Sequence, residues 1–333
     1  MPDSLGKWQN PGEGLFDMMT GRIHKEDAMP ENSRADLAEK NRLLRERLLK
    51  WLPEPGEYQT PIQGFSFFRH DDCASCENCF YDPAVGVVIQ GKKRSIVGSQ
   101  EYFYHENDSL LNSVDLPSRN YILDASPEKP FLGMGLKIDK YIVSQLMTEL
   151  PMQAKVIDEP VRKGLSVTPI EADILDAFVR LTELLDNPEQ IPVLAPMIVR
   201  EIYYRLLTGP RGKYLRAINT TGTRGSRIAQ AITWLRNNYK EPLQVDELAK
   251  KVNMATSTFH RHFKQITTLS PLQYQKRLRL YEAQRLMLVE NEYASNACLA
   301  VGYESPTQFN REYKRLFGEP PARNIHKTRE LQV

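Results

Sequence analysis

The stretch that decides the fold of the C-terminal part is Leu243-Gln-Val-Asp-Glu-Leu-Ala-Lys-Lys-Val252, Asn253-Met254 and Ala255-Thr-Ser-Thr-Phe-His-Arg-His-Phe-Lys-Gln265. In both longer segments, apolar residues recur at the three- and four-residue spacing of one helix face. The short turn between them completes the pattern of a helix-turn-helix unit. A second stretch repeats this pattern: Asn296-Ala-Cys-Leu-Ala-Val301, Gly302-Tyr303 and Glu304-Ser-Pro-Thr-Gln-Phe-Asn-Arg-Glu-Tyr-Lys-Arg-Leu-Phe317. The sequence therefore predicts two such units in tandem.

One helix, from Pro271 to Leu288, is predicted to join the two units. Ser270 is a favourable N-cap residue, Pro271 suits the first helical position, and Gln273 completes a capping box. A helix of roughly 18 residues is about 27 Å long. It can hold the second helices of the two units about one DNA turn apart, roughly 34 Å. Because the second helix of such a unit enters the major groove, this spacing predicts binding to two successive grooves.

The outward faces of the two second helices carry the residues that we predict to contact DNA. We predict that Phe259 and Phe263 are buried in the first unit, and Phe309 and Tyr313 in the second. The outward face of each helix is the one opposite its buried pair. Arg can form paired hydrogen bonds to guanine, Asn can do so to adenine, and a Thr methyl can touch a thymine methyl. Lys264, Lys314 and Arg315 are better placed to contact phosphates. The predicted contacts are Ser257, His260, Arg261 and Lys264 in the first unit, and Thr307, Asn310, Arg311, Lys314 and Arg315 in the second.

Charge is distributed unevenly along the 333 residues. The whole chain has 44 Lys and Arg against 42 Asp and Glu, a net charge of +2. Residues 219–333 hold 18 of the basic and 10 of the acidic residues, which leaves +8 there and −6 on residues 1–218. A basic domain attracts phosphate and makes its affinity salt-dependent. We therefore expect double-stranded DNA to bind the C-terminal part and not the acidic N-terminal part.

Residues 226–323 resemble the DNA-binding domain of AraC/XylS-type transcriptional regulators. The resemblance rests on these motifs: Phe-His-Arg-His-Phe-Lys at 259–264, Ser-Pro-Leu-Gln-Tyr at 270–274, Arg-Leu-x-x-Ala at 279–283, Val-Gly-Tyr at 301–303, and Ser-Pro-x-Gln-Phe-x-Arg-x-Tyr-Lys-Arg-x-Phe-Gly at 305–318. It implies an activator with promoter DNA and RNA polymerase as partners. By position, it places base contacts on Ser257, His260, Arg261, Thr307, Asn310 and Arg311. Two departures are Ala255, where members often have Ser, and Pro306, which replaces a polar residue.

The front half of the chain predicts an antiparallel β-barrel or jelly roll with added helices. Short apolar runs separated by turn residues lie between Gly64 and Ile138, the spacing of many short strands. Helices are predicted near 33–51, 139–150, 169–187 and 193–208. Tyr81-Asp-Pro83, Gln90-Gly-Lys-Lys93 and Ser113-Val-Asp-Leu-Pro117 resemble the N-terminal effector domain of one subgroup of the same family. The fold class predicted for the whole chain is therefore α+β, with an all-α C-terminal domain.

The predicted organisation has five parts. They are a mobile extension at 1–31, a cupin-like effector and dimerisation domain at 32–208, a linker at 209–224, the DNA-binding domain at 225–324, and a tail at 325–333. Length alone suggests about two domains. The sequence shows neither a signal peptide nor a long apolar run, so we expect a cytoplasmic protein that does not enter a membrane. The apolar stripes of the helices at 169–187 and 193–208 are expected to form the interface of a homodimer.

Three of the four cysteines form a cluster, Cys73, Cys76 and Cys79, and His70 extends the same three-residue spacing. Clustered cysteines in a cytoplasmic protein favour metal binding or redox chemistry over a structural disulfide. Three thiolates and one imidazole could complete a tetrahedral zinc site, and an iron–sulfur cluster is a further alternative. The cysteines could equally be incidental. Cys298 lies on an apolar helix face and is predicted to be in the core.

Two functional hypotheses follow. The first is a transcriptional regulator whose N-terminal domain senses a small molecule, or a thiol, redox or metal signal. The second is a DNA-binding domain fused to a Cys-based enzyme, such as a repair protein that accepts an alkyl group from DNA. The chain lacks a P-loop, a dinucleotide-binding glycine motif and a Gly-x-Ser-x-Gly motif. We therefore favour the regulator and expect no enzymatic activity.

Overall fold

The computed structural model describes residues 31–73, 76–150 and 164–330, and no side chains at 31–34 and 76–79. The extension predicted for 1–31 lies outside the described residues, apart from Glu31. The elements of the front part, in chain order, are α1 (Glu31–Trp51), β1 (Gly56–Gln59), β2 (Phe65–His70), β3 (Cys76–Tyr81), β4 (Ala84–Gln90), β5 (Lys92–Val97), β6 (Gln100–Tyr104), β7 (Asp108–Asn112), β8 (Leu116–Asp124), β9 (Phe131–Lys137), α2 (Lys140–Glu149), β10 (Leu165–Pro169), α3 (Ala172–Glu183) and α4 (Ile191–Thr208).

The strands form two antiparallel sheets. One sheet has six strands in the order β1-β2-β9-β4-β7-β10, and the other has four in the order β3-β8-β5-β6. Their inner faces pack together, with Val88 and Phe131 of the larger sheet against Tyr104 and Ile122 of the smaller one. Among the described strands, no ladder joins the two sheets, so they form a jelly-roll-like sandwich and not a closed barrel. The α+β prediction is confirmed.

The helices of this domain cover the outer face of the larger sheet. Because side chains alternate along a strand, Phe65 and Phe67 of β2 both point to that face. Phe65 stacks on Phe178 of α3 with ring centroids 5.8 Å apart, and Leu44 and Leu48 of α1 are fully buried in the same core. The helix predicted at 33–51 is therefore α1, which packs on the outer face of this sheet.

The C-terminal part is helical. Its elements are α5 (Gly212–Asn219), α6 (Arg224–Asn237), α7 (Val245–Lys251), α8 (Thr256–Thr267), α9 (Pro271–Val289), α10 (Ala294–Ala300), α11 (Pro306–Phe317) and α12 (Pro321–Glu330). The segment predicted as a linker contains α5, which buries Leu215 and Ile218. The segment predicted as a tail overlaps α12, whose Ile325 is 7% exposed. Both segments contribute apolar side chains to cores, although their composition is polar.

Two apolar cores organise the helices. The first unit, with Phe259 and Phe263, shares its core with Val97, Leu116 and Leu165 of the sandwich. The second unit has a separate core that contains Cys298, Val301, Phe309 and Tyr313. The first helix-turn-helix unit is thus packed into the N-terminal domain, whereas the core of the second draws on C-terminal residues.

Candidate nucleic-acid interface

The first unit consists of α7 and α8. The turn between them contains Asn253 with a positive φ of 53°, a conformation that Asn tolerates better than most residues. Phe259 and Phe263 are both 0% exposed, which orients α8 as predicted. Ala255 is the N-cap of α8 and provides no side-chain hydrogen bond. The N-cap of α8 therefore lacks the side-chain hydrogen bond that a Ser at this position could provide.

The second unit consists of α10 and α11. Gly302 lies in the turn with a φ of 85°, and Ser305 caps α11 by accepting a hydrogen bond from the Gln308 amide at 3.3 Å. Phe309 and Tyr313 are buried, and Cys298 is 0% exposed, as the sequence predicted. The Gln308 side chain does not return to the cap. It donates instead to the Glu312 carboxylate at 3.1 Å.

The predicted DNA contacts share one property, which is exposure to solvent. All nine are exposed: Ser257, His260, Arg261, Lys264, Thr307, Asn310, Arg311, Lys314 and Arg315. Within the described residues, none of the five Lys and Arg side chains in this set forms an ion pair with a carboxylate. An unpaired cation can meet a phosphate or a base without first losing an internal partner. The arrangement therefore suits an anionic polymer.

Helix α9 connects the two units and belongs to both cores. Ser270 accepts from the Gln273 amide at 3.3 Å, and Gln273 accepts from the Ser270 amide at 3.1 Å, so the predicted capping box is present. Tyr274, near the start of the helix, is buried with the first unit, whereas Met287, near its end, is buried with the second. At 19 residues, the helix is about 28 Å long. It can act as a spacer between the two recognition helices.

Arg279 attaches the centre of α9 to the loop after α6 and to the turn of the second unit, a role that the sequence did not reveal. Its guanidinium donates to the carbonyl oxygens of Tyr239 at 2.7 Å and Gly302 at 2.6 Å, and to those of Lys240 and Glu241 at 3.0 Å. Burial lowers the pKa of Arg279. A planar group with five donors can bridge two chain segments in this way, so Arg279 joins the loop before the first unit to the turn of the second.

A second set of contacts, also absent from the sequence prediction, joins the two domains. Arg236 of α6 donates to the Asp82 carboxylate at 2.9 Å and also to Asp115. Burial raises the pKa of Asp115 and outweighs the opposing charge of Arg236. At Asp82, burial is outweighed by hydrogen bonds from Arg236 and Lys137, and the pKa is lowered.

Aromatic and backbone contacts extend this interdomain interface. The Tyr274 hydroxyl donates to the Asp115 carbonyl at 2.8 Å, and the Phe80 ring packs edge-on against Tyr274 and Tyr281. The Gly164 amide donates to the Ile266 carbonyl at 3.0 Å, and the Thr268 hydroxyl donates to the Val97 carbonyl at 3.1 Å. The end of α8 and the start of α9 therefore rest on one end of the sandwich.

The predicted sensor and metal residues fall on three different pieces of backbone. His70 ends β2, Cys73 is exposed in the following connection, and Cys76 and Cys79 lie in β3. The side chains of Cys76 and Cys79 are outside the described residues. Among the side chains that are described, no group of three potential metal ligands occurs. The zinc, iron–sulfur and redox alternatives therefore stay predictions.

Comparisons with known proteins agree with this division of the chain. Residues 61–214 match the family model described as AraC-type transcriptional regulator N-terminus, and residues 248–324 match a helix-turn-helix domain. The HTH-type transcriptional activator RhaS of Pectobacterium carotovorum is 28% identical over 102 residues, which are 31% of this chain and 37% of that protein. The lactose operon transcription activator of Staphylococcus xylosus is 22% identical over 166 residues, which are 50% of this chain and 58% of that protein. The chain thus spans less than two thirds of the length of each of these curated relatives.

Solved structures show the same fold. ToxT from Vibrio cholerae O395 superimposes with a TM-score of 0.53 at 11% identity, covering 79% of this chain and 98% of that one. ToxT of strain SCE256, bound to an unsaturated fatty acid, gives a TM-score of 0.52 at 10% identity, covering 78% and 94%. Among the described helices, none combines the length and apolar character that a membrane crossing requires.

The described residues thus form a β-sandwich domain followed by two exposed helix-turn-helix units, the two parts that the family models match. The chain belongs to the AraC/XylS family of transcriptional regulators, with an N-terminal domain of the AraC type. These matches point to regulators and not to enzymes.

Proposed function

We propose that this protein is a transcription activator that reads two successive major grooves of promoter DNA through α8 and α11. The observation that carries this proposal is the pair of exposed faces whose Lys and Arg side chains have no carboxylate partner among the described residues. In this arrangement Arg261, Asn310 and Arg311 read base edges, whereas Lys264 and Lys314 contact phosphates. Two relatives are named as activators, and this supports activation of transcription over repression.

The N-terminal domain is proposed to act as the effector and dimerisation domain. Its contacts with α6, α8 and α9 give it a direct route to the first unit, because Arg236, Ile266 and Tyr274 all touch it. A signal that changes the sandwich would shift the population of domain arrangements and so change DNA occupancy or contact with RNA polymerase. The signal is proposed to be a small molecule, or a thiol, redox or metal event at the Cys73 to Cys79 cluster.

The proposal is tested by selecting binding sites from random duplex DNA with the full chain and then measuring affinity for the selected site. Arg261→Ala and Arg311→Ala should each weaken binding by about 1–3 kcal/mol and relax specificity at one base position. Two positions roughly one DNA turn apart should be affected, one by each variant.

Arg323→Ala is the matched control, because Arg323 is highly exposed on α12, outside both recognition helices, and pairs with Glu319 at 3.9 Å. It should leave specificity unchanged. Wild-type affinity and specificity in both recognition-helix variants would show that the assigned register is wrong.

A further inference from the structure

The C-terminal end of α8, the first recognition helix, is bound by backbone groups of the N-terminal domain. The last four carbonyl groups of a helix have no partner within the helix itself. One of them, the Ile266 carbonyl, accepts a hydrogen bond from the Gly164 amide at 3.0 Å. Ser113 holds Gly164 in place by donating to its carbonyl from the backbone amide at 2.9 Å and from the hydroxyl at 3.0 Å. The sandwich therefore supplies part of the C-terminal cap of α8.

Two glycines allow the sandwich to approach the helix this closely. A Cβ atom on Gly98, in the turn between β5 and β6, would overlap the Thr268 hydroxyl and lie 2.7 Å from the Thr268 Cβ. A Cβ atom on Gly164 would lie 2.9 Å from the Ile266 carbonyl oxygen. Carbon atoms in contact are normally about 3.5–4.0 Å apart, so a side chain at either position would push the helix end away. We call Gly98 and Gly164 the glycine seat.

Thr268, which contacts the glycine seat, has a backbone conformation that helix ends usually give to glycine. Its φ is 65°, in the left-handed region where a β-branched residue is an outlier. The second recognition helix ends in the usual way, at Gly318 with a φ of 84° and with no described atom within 4 Å of an added Cβ. The Thr268 hydroxyl donates to the Val97 carbonyl of the sandwich at 3.1 Å. Backbone strain that tertiary contacts maintain points to a functional role.

The glycine seat contacts the end of α8 that lies away from the predicted base contacts. Ser257 and Arg261 are exposed in the first half of the helix, and recognition helices contact bases with their N-terminal residues. With 12 residues, α8 is about 18 Å long, so a small tilt at Thr268 displaces the opposite end of the helix. The docked arrangement thus leaves the base-reading end open while it fixes the direction of the helix.

We propose that Gly98, Gly164 and Thr268 are positioning residues through which the N-terminal domain sets the orientation of α8 in its major groove. This inference rests on the proposed function, because it assigns base reading to α8. The core around α11 consists of C-terminal residues. Recognition of the second half-site should therefore not depend on the glycine seat.

Thr268→Gly tests the positioning role without damaging the helix end. Glycine suits a positive φ, which offsets the lost bond to Val97, so the midpoint of urea unfolding should change little. Affinity for the selected duplex should nevertheless fall at least about fivefold. This loss should disappear when the half-site at which Arg261→Ala relaxes specificity is scrambled, and it should remain when the other half-site is scrambled. Thr268→Ser keeps the hydroxyl and should bind like the wild type.

Gly98→Ala tests the same contact from the side of the sandwich. Its methyl group would overlap Thr268, so affinity should fall at the same half-site. Gly98→Ala combined with Thr268→Gly should lose less than the sum of the two single changes, because both act on one contact. Gly318→Ala is the matched control, since it places a similar strain at the end of α11. It should leave discrimination at the first half-site unchanged.

Wild-type affinity and discrimination in both folded variants, Thr268→Gly and Gly98→Ala, would overturn the positioning role, as would equal losses at the two half-sites. Hydrogen exchange of the full chain without DNA gives a separate measurement. The Gly164 amide should exchange faster in Gly98→Ala than in the wild type, and unchanged exchange would contradict the seat. Loss of specific duplex binding by the wild type would contradict the proposed function, whereas the exchange measurement would still decide whether the seat holds α8.

Discussion

At the scale of single residues, the second unit depends on one partly buried carboxylate. Glu312 of α11 is contacted by the Tyr303 hydroxyl at 2.7 Å, by Lys276 of α9 at 2.5 Å and by Gln308 at 3.1 Å. Burial raises its pKa, but the hydrogen bonds and the charge of Lys276 outweigh burial, and the net pKa is lowered. Glu312 thus joins the turn, the spacer helix and the recognition helix. Its neighbours on α11, Arg311 and Lys314, face solvent.

This lowered pKa gives a defined pH dependence. Because the folded pKa lies below the ordinary value of 4.5, ionised Glu312 stabilises the fold above about pH 4.5, and this contribution is lost as pH falls through the folded pKa. Glu312→Gln should reduce the free energy of unfolding by about 1–3 kcal/mol at pH 7. The difference from wild type, measured by urea unfolding, should shrink at pH 3.5.

The control is Glu304→Gln, an exposed residue in the adjacent turn, which should change stability by less than about 0.5 kcal/mol. A cost for Glu312→Gln that stays constant between the two pH values would contradict the ion-pair explanation.

At the scale of elements, the geometry of each turn decides where its recognition helix points. In the second unit, Gly302 has a positive φ, and a Cβ atom there would overlap the carbonyl oxygen of Lys240. The same glycine provides the carbonyl that Arg279 binds at 2.6 Å. The turn is therefore held against both the loop after α6 and the spacer helix.

Gly302→Ala should destabilise the second unit by at least about 2–3 kcal/mol, because left-handed strain adds to a backbone overlap. Gly318→Ala is the matched control. Gly318 has nearly the same φ, 84°, but nothing within 4 Å of an added Cβ, so only the conformational cost of about 1 kcal/mol applies. Thermal unfolding of both variants gives the comparison, and equal losses would show that the contact with Lys240 is unimportant.

At the scale of the whole molecule, the two domains share a core. Phe263 and Tyr274 of the DNA-binding part pack in the same cluster as Val97 and Leu116 of the sandwich. The second unit has a separate core. The first recognition helix therefore packs directly against the N-terminal domain, whereas the second is connected to that domain through α9.

The interdomain ion contact should be measurable in stability. Arg236→Ala removes the cation from Asp115, which is 6% exposed, and should lower the free energy of unfolding by about 1–3 kcal/mol. Lys137→Ala is the control, since Lys137 pairs with the other carboxylate, Asp82, and its side chain is 64% exposed. That variant should change stability by less than about 1 kcal/mol. Similar small effects of both variants in urea unfolding would show that Arg236 does not stabilise the interface.

Several elements were not predictable from local patterns. Strands β1 and β10 are short, and each is defined by a partner elsewhere in the chain: Gly56 pairs with Arg69, and Leu165 with Asn112. The predicted linker has a polar composition, yet α5 forms there because Leu215 and Ile218 reach different cores. Strand pairing and burial depend on distant residues, so no local window of sequence contains the information.

The sequence by itself determined the tandem helix-turn-helix units, the capping box at Ser270 and the buried faces of Phe259 and Phe309, because helix periodicity and capping involve residues three or four positions apart. Only the tertiary structure decided how the domains meet. Arg236 lies 154 residues from Asp82 and 121 from Asp115, and their contact arises because the sandwich and the first unit bury one apolar surface together. Local spacing cannot encode such a contact, since the folded chain alone brings these charges to one place.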